Sequence, residues 1–252
     1  MAVHDAYYTY TVVGLLALGG VMYGVRVALR GAARSERVAR IGGTALIGQE
    51  LMDYTYWALS PFVRGLAALG VTPNALTWAA LVFGLGAGIA LGDGRFGLAS
   101  MLATLSTVGD ILDGQVARLT KTGSNRGELL DAAVDRYTEL AFLGGLLVYF
   151  RFSVPFMVLT LAALVASFMI SYASAKAEAL QVSAPRGLMR RHERGVYLIA
   201  GAGFTAMFGD WLVARWGELP WETPMLVGLA MVAVVGNIAA ILRFVRIARA
   251  LP

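Results

Sequence analysis

The segment Gly109–Asp135 reads GDILDGQVARLTKTGSNRGELLDAAVD and places four aspartates in a chain that is otherwise strongly apolar. Asp110 and Asp113 are three residues apart, and Asp131 and Asp135 are four apart. On α-helices, both spacings put the two side chains on one face. Four carboxylates at one site repel one another and are costly to desolvate, so they require cations. A set of ligands made only of oxygen suits Mg²⁺, Mn²⁺ or Ca²⁺ rather than zinc.

The composition is that of an integral membrane protein. Of the 252 residues, 58% are hydrophobic and only 15% are charged, whereas soluble domains carry about 25% charged residues. The chain has no Cys, which excludes disulfides. Because it has only two His as well, a Cys/His metal site is not expected. Seven apolar runs approach the roughly 20 residues that a helix needs to cross a bilayer. The predicted spans are residues 8–28, 74–92, 97–119, 127–149, 153–175, 195–214 and 223–243.

The distribution of basic residues predicts the orientation of these spans. Arg95, Arg151 and Arg215 lie in alternate loops, and the other 18 of the 21 Lys and Arg lie in the remaining loops and adjoining helix ends. Because cytoplasmic loops are enriched in Lys and Arg, we expect an N-terminus outside, a C-terminus in the cytoplasm and an aspartate segment facing the cytosol. The same distribution indicates a membrane rather than nucleic acid as the reason for the net charge of +5. No Lys or Arg precedes the first span and five arginines follow it, so we interpret it as a retained helix rather than a signal peptide.

A further segment, residues 46–69, is not expected to cross the membrane. It mixes aliphatic and aromatic residues with Glu50, Asp53 and Arg64, and Pro61 interrupts it. This pattern is typical of a helix lying in the membrane interface. Thr72-Pro73-Asn74 then predicts the start of the next span, because proline is tolerated in the first turn of a helix.

Written with its spacing, the aspartate segment is Asp110-x2-Asp113-Gly114-x2-Ala117-Arg118-x8-Gly127-x3-Asp131-x3-Asp135. All eight positions resemble the signature of the CDP-alcohol phosphotransferases, membrane enzymes that move a phosphoalcohol or phosphatidyl group from a CDP carrier. The resemblance extends more loosely over roughly residues 50–250. It implies an all-α bundle of six transmembrane helices with an interfacial helix. We therefore expect residues 1–44 to be an additional transmembrane helix with a basic linker, and residues 45–252 to be the catalytic membrane domain.

The resemblance also implies a role for each motif residue. The ligands of two divalent cations, Mg²⁺ or Mn²⁺, would be Asp110, Asp113, Asp131 and Asp135. Asp135 would also be the general base that takes the proton of the acceptor hydroxyl. The CDP group would be bound by Asp110, Asp113, Gly114, Ala117, Arg118 and Gly127. The alternative for these aspartates is simple ion pairing with basic neighbours, namely Arg118, Lys121, Arg126 or Arg136. Glu128 lies in a first helical turn, where an acidic residue is common, and is left out of the site.

A second group of residues, which is mainly basic, concerns the identity of the acceptor substrate. This group resembles the phosphatidylinositol-phosphate synthase branch of the same family, in which the matching positions hold the acceptor phosphate. In this chain those positions are Ser171, Lys176, Arg194 and Arg243. Three cations suit a phosphorylated polyol better than a cationic choline head. The chain departs from the branch pattern at Ser174, where a basic residue is expected, and at Lys176, where an arginine is expected; a bidentate fork thereby becomes a point charge.

The expected reaction is therefore transfer of phosphatidyl from CDP-diacylglycerol to inositol phosphate, with release of CMP. Three alternatives remain: glycerol 3-phosphate as the acceptor, a CDP-choline or CDP-ethanolamine:diacylglycerol phosphotransferase, and a non-enzymatic cation transporter. A transporter would spread its carboxylates across the depth of the membrane, whereas these cluster near one end.

Two further sets of residues, five arginines and three glycines, are expected to have structural rather than catalytic roles. A topological or headgroup role is expected of five cytoplasmic arginines, Arg186, Arg190, Arg191, Arg246 and Arg249. Gly84, Gly88 and Gly92 form a ridge of small residues that indicates helix packing or a dimer face. We expect a homodimer in the cytoplasmic membrane with lipids, and not nucleic acid, as its surroundings.

Overall fold

A computed structural model of the protein describes residues 5–34, 38, 48–182, 187 and 189–251, and eight α-helices lie within these ranges. They are α1 (Ala6–Arg30), α2 (Gln49–Ala68), α3 (Pro73–Gly92), α4 (Phe96–Thr120), α5 (Asn125–Tyr149), α6 (Val154–Ala179), α7 (Arg191–Trp216) and α8 (Thr223–Ala250). Two of the five arginines that follow the first span, Arg37 and Arg40, and also Arg186 fall outside the described ranges.

Five helices of the described chain are long and apolar enough to cross a membrane, namely α1, α3, α6, α7 and α8. The protein is therefore a multi-pass membrane protein. The other two predicted spans coincide with α4 and α5, which are 25 residues long each but carry the charged residues of the aspartate motif.

The helices of the aspartate motif are held together by α3. It packs along both α4 and α5, while α8 packs on α6 and α7, and α4 also contacts α7. The glycine ridge of α3 makes the close approach to α5 possible: a Cβ on Gly88 would collide with the carbonyl oxygen of Ala141, and a Cβ on Gly145 would collide with the carbonyl oxygen of Gly88. Helix packing, one of the two predicted uses of this ridge, is confirmed. Because α5 covers it, the ridge does not provide a dimer face.

The ends of these helices follow their sequences. Thr72 caps α3 and accepts a hydrogen bond of 3.3 Å from the Ala75 amide, with Pro73 as the first helical residue. Lys121 ends α4 in a left-handed conformation, with a φ of 55°. Ser124 caps α5 by accepting a hydrogen bond of 3.2 Å from the Gly127 amide. A sharp reversal between Lys121 and Ser124 therefore brings the two halves of the motif back together.

The expectation that Pro61 interrupts the segment after the first span was wrong. Helix α2 is continuous from Gln49 to Ala68, with Pro61 inside it. A proline removes one backbone hydrogen bond of a helix. Aromatic packing against α1 supports the turn before it: the ring centroid of Tyr23 lies 5.5 Å from that of Tyr54 and 5.2 Å from that of Trp57.

Helix α1 is attached to the bundle through buried polar groups. The carboxylate of Asp5 accepts hydrogen bonds of 2.8 Å from the amides of Gly97 and Leu98, in the first turn of α4. Only 1% of Asp5 is exposed. One turn further along α1, the hydroxyls of Thr9 and Ser100 are 3.2 Å apart. Asp5 thus supplies the N-terminal cap that α4 lacks within its own sequence, since Arg95 makes no side-chain cap bond.

Replacement of Asp5 by alanine is expected to destabilise the protein by about 1–3 kcal/mol, because it leaves two buried amide groups of α4 without an acceptor. Asp5→Asn, which keeps one acceptor oxygen, should fall between alanine and the wild type. The measurement is thermal unfolding of the purified protein in detergent at a fixed scan rate. Glu218→Ala, in the exposed loop before α8, is the control and should leave the unfolding temperature unchanged. Equal unfolding temperatures for the Asp5 and Glu218 variants would contradict the proposal that Asp5 caps α4.

Candidate active site

Three aspartates of the motif converge at one point. Asp110 and Asp113 come from α4 and Asp131 comes from α5, and one carboxylate oxygen of each lies within 4.8 Å of the others. This arrangement follows from the helix period, which puts Asp110 and Asp113 on one face of α4, and from α3, which holds α4 and α5 side by side. The convergence predicted from the spacing is therefore present for these three residues.

A threonine of α3 fixes one of these carboxylates. Thr77 is buried, and its hydroxyl donates a hydrogen bond of 2.6 Å to Oδ2 of Asp113. Asp113 itself is only 6% exposed. The role of Thr77 was not predicted from the sequence. The signal that could have found it is a threonine inside an otherwise apolar helix, one turn after the proline that starts the helix.

Asp135 lies one turn beyond Asp131 on α5, and it pairs with an arginine of α7. It is 7% exposed, and its Oδ1 forms an ion pair with Nη2 of Arg191. The Nη1 group of the same arginine donates to both oxygens of Asp110, at 3.1 and 3.2 Å. Arg191 thus bridges α4 and α5 from the first turn of α7. The topological role expected of Arg191 does not account for these contacts.

The donor set fits divalent cations that prefer oxygen. Asp110, Asp113 and Asp131 offer only carboxylate oxygens, which are the ligands of Mg²⁺ and Mn²⁺. Oδ1 of Asp131 is buried and has no hydrogen-bond donor among the described residues. A buried carboxylate oxygen in that position is costly unless a cation or another donor meets it. These three residues, with Asp135 beside them, are those that could hold metal.

The small residues predicted to line the CDP pocket lie at the ends of α4 and α5. A Cβ on Gly114 would lie 3.1 Å from Nη1 of Arg118, so the guanidinium of Arg118 covers this glycine. Ala117 is half-buried on the same helix. A Cβ on Gly127 would lie 3.5 Å from Oδ1 of Asn74, at the start of α3. The lack of side chains at Gly114 and Gly127 therefore lets the polar groups of Arg118 and Asn74 approach the helix backbone closely.

The four predicted acceptor residues lie in different surroundings. Arg243 is mostly buried and donates a hydrogen bond of 3.0 Å to Oγ of Ser174. Ser171 accepts a hydrogen bond of 2.7 Å from Nη1 of Arg136. Lys176 is exposed in the last turn of α6.

Arg194, the fourth predicted acceptor residue, is only 1% exposed. Its Nε and Nη2 groups donate to the two carboxylate oxygens of Glu139, at 2.8 and 3.2 Å, and its Nη1 group donates to the carbonyl of Met189 at 3.0 Å. Three of the five N–H groups of this guanidinium are engaged in these contacts.

Glu139 and Arg136 complete a polar network that the sequence analysis did not predict. Glu139 lies one turn beyond Asp135 on α5, and it also pairs with Arg136 at 3.4 Å. Arg136, expected as an alternative partner of the motif aspartates, instead contacts Glu139 and Ser171. The signal in the sequence is a run of acids at intervals of four, Asp131, Asp135 and Glu139, opposite two arginines three apart on α7.

The similarity of the chain to known proteins agrees with this site. The sequence model of the family described as CDP-alcohol phosphatidyltransferase matches residues 70–248, which include all of the aspartate motif. The protein belongs to the CDP-alcohol phosphatidyltransferase family. It is therefore a membrane transferase of phospholipid synthesis with CDP-alcohol phosphatidyltransferase activity. Helices α1 and α2 precede the matched residues.

Relatives within the family are phosphatidylinositol phosphate synthases. That of Mycobacterium tuberculosis is 32% identical over 192 residues, which are 73% of this chain and 82% of the relative. Its crystal structure in complex with manganese and citrate has a TM-score of 0.64 to this chain at 29% identity, covering 75% of this chain and 88% of that one. A crystal structure of the same enzyme with CDP-DAG bound has a TM-score of 0.63 at 29% identity, covering 74% and 92%.

Proposed function

We propose that the protein transfers the phosphatidyl group of CDP-diacylglycerol to a phosphorylated polyol, with inositol phosphate as the favoured acceptor, and releases CMP. The observation that carries this proposal is the convergence of three carboxylate oxygens from two helices within 4.8 Å. The manganese–citrate and CDP-DAG complexes of a relative with 29% identity support it.

In this proposal, two divalent cations, Mg²⁺ or Mn²⁺, are held by the four motif aspartates, Asp110, Asp113, Asp131 and Asp135. When bound, such cations neutralise the pyrophosphate oxygens and stabilise the leaving phosphate. Thr77 orients the Asp113 carboxylate by its hydrogen bond of 2.6 Å. The CDP group lies beside Asp110, Asp113, Gly114, Ala117, Arg118 and Gly127, where small side chains leave room for the cytidine and Arg118 offers a planar donor fork to a phosphate.

Asp135 is the proposed general base. The oxygen of the acceptor hydroxyl forms a bond to the phosphorus that carries diacylglycerol, the bond from this phosphorus to the bridging oxygen breaks, and CMP leaves with that oxygen. The hydroxyl proton goes to the Asp135 carboxylate. A direct displacement is consistent with a chain that has no Cys and in which the motif itself offers no nucleophile other than carboxylates.

The acceptor phosphate is proposed to bind near Ser171, Lys176, Arg194 and Arg243. Arg243 and Ser171 lie on α8 and α6, which pack together, and charge-assisted hydrogen bonds from arginine suit a phosphate. Arg194 is held by Glu139, so it contributes fixed positive charge with part of its donor fork. Ser174, which stands where a basic residue is expected, engages Arg243 by a hydrogen bond of 3.0 Å.

The surroundings of the site are also part of the proposal. The active site faces the cytosol of a cytoplasmic membrane protein with seven crossings, α2 lies in the interface, and residues 1–44 add a helix to the catalytic domain of residues 45–252. A homodimer remains a prediction, and its interface must use a surface other than the glycine ridge of α3.

The acceptor is tested by supplying CDP-diacylglycerol with inositol phosphate, glycerol 3-phosphate, inositol, glycerol and serine, and measuring CMP release. Phosphorylated acceptors should be preferred. Arg243→Gln should raise the KM of the acceptor roughly tenfold or more, because loss of a charge-assisted hydrogen bond costs about 1.5–3 kcal/mol. The KM of CDP-diacylglycerol should change much less.

Arg246→Gln is the matched control, since Arg246 lies on the same helix but is exposed. It should leave both KM values unchanged. A preference for glycerol 3-phosphate would keep the phosphate pocket and change the product. A preference for serine or free inositol, with an unaltered Arg243→Gln variant, would contradict the pocket while leaving the transfer reaction in place.

A further inference from the structure

The gap between α5 and α7 is bridged by side chains alone. Within the described residues, no Cα of α5 lies within 8 Å of a Cα of α7. Two ion pairs cross this gap, Arg191 with Asp135 and Arg194 with Glu139. The two arginines are three residues apart and the two acids are four apart, so each pair occupies a successive turn of the two helices.

The two ion pairs differ in exposure. The side chains of Arg194 and Glu139 are 1% and 9% exposed, and they form a buried bidentate pair. The side chain of Arg191 is 38% exposed, while those of its partners Asp135 and Asp110 are 10% and 25% exposed, so the two pairs differ mainly in their arginines. Partly solvated ion pairs contribute little net stability. Arg191 can therefore exchange its partners at a lower cost than Arg194.

Arg191 also occupies groups that the metal site requires. Both oxygens of Asp110 accept hydrogen bonds from Nη1 of Arg191, and an oxygen of the same carboxylate belongs to the three-aspartate group. A divalent cation and a guanidinium thus compete for the lone pairs of Asp110. The same guanidinium pairs with Asp135, the proposed general base.

Building on the metal-dependent transfer proposed above, we propose that Arg191 is a positioning residue that neutralises Asp110 and Asp135 and exchanges with divalent cations. In the exchange, a cation binds Asp110 and displaces the guanidinium of Arg191. That guanidinium then becomes available to a phosphate of the substrate, a ligand of matching geometry. Asp135 is released in the same step, so the base becomes free as cation and anionic substrate enter together.

The test is the affinity of the purified protein for Mn²⁺ in detergent without substrate, measured from the free-Mn²⁺ signal in electron paramagnetic resonance. Arg191→Gln should bind Mn²⁺ roughly tenfold more tightly than the wild type, because it removes a charge-assisted competitor for the carboxylates. Without metal, its unfolding temperature should be lower, and Mn²⁺ should raise that temperature by more than it does in the wild type.

Arg190→Gln is the control, since it removes the same charge one residue earlier, where the backbone amide donates a hydrogen bond of 2.9 Å to Glu193. It should change the Mn²⁺ affinity little. If Arg191→Gln does not fold, Arg191→Lys keeps the charge but loses the fork, and its affinity should lie between those of the wild type and a tenfold gain. Mn²⁺ affinity in the folded Arg191 variant that is equal to or weaker than that of the wild type overturns the exchange. Absence of Mn²⁺ binding in every variant and in the wild type would instead contradict the metal site on which the inference rests.

Discussion

Chelation of divalent cations is expected to abolish CMP release from CDP-diacylglycerol, and Mg²⁺ or Mn²⁺ is expected to restore it. The pyrophosphate of the donor is anionic, and it must approach Asp110, Asp113 and Asp131, whose carboxylate oxygens lie within 4.8 Å of one another. Arg191 forms an ion pair with this group, through Asp110. One guanidinium cannot neutralise three carboxylates and a pyrophosphate, so the repulsion remains unless cations are added.

The chelation experiment needs a control for effects of the chelator on the detergent or the lipid. An equal concentration of the preformed Mg²⁺–chelator complex should leave the rate unchanged. Titration of Mg²⁺ or Mn²⁺ into the chelated enzyme should restore the original rate. Full activity in excess chelator would contradict the proposed cation site at the aspartates, but it would not affect the family assignment.

The parts of the fold that could be predicted from the sequence are those set by local patterns. The seven predicted spans coincide in position with seven of the eight helices in the described ranges, five of which are long and apolar enough to cross a membrane, because length and apolar composition are properties of one segment. The placement of Asp110 and Asp113 on one face of α4 was predictable because helix periodicity fixes which side chains share a face, whereas the approach of Asp131 depends on α3, which packs along both α4 and α5. The start of α3 at Pro73 followed from its local capping sequence in the same way.

The ion pairs of Arg191 and Arg194 could not be predicted by such reasoning. Arg191 lies 81 residues from Asp110, and its position depends on where α7 begins and how it packs on α4 and α8. The predicted span began at residue 195, whereas α7 begins at Arg191, which moves two arginines from a loop onto a helical turn. Asp5 is a similar case, since its amide partners on α4 are 92 and 93 residues away. Such contacts depend on tertiary packing rather than on a repeat in the sequence.

Replacement of Asp135 by asparagine is expected to lower kcat by roughly 10²–10⁴-fold, the usual contribution of a general base. Asparagine preserves the size of the side chain but cannot take the acceptor proton. Because the proposed base acts mainly on the acceptor, binding of CDP-diacylglycerol should be retained better than in Asp113→Asn, although Asp135 is also a proposed cation ligand beside the three-aspartate group. Asp113→Asn should behave differently, weakening metal and nucleotide binding, because it removes a charge from that group. Initial rates at saturating donor and acceptor, together with donor binding by equilibrium dialysis, separate the two effects.

The control for Asp135→Asn is Glu128→Gln on the same helix. Glu128 is exposed in the first turn of α5, so this change removes one carboxylate charge without touching the aspartates, and kcat should stay close to that of the wild type. The loss of the ion pair with Arg191 is a second consequence of Asp135→Asn, and Arg191→Gln removes the same pair while keeping the base. If loss of the pair alone accounted for the defect, both variants would lose the same fraction of kcat. A much larger loss in Asp135→Asn assigns proton transfer to Asp135, whereas near-normal turnover in that variant at saturating substrates would exclude it as the base.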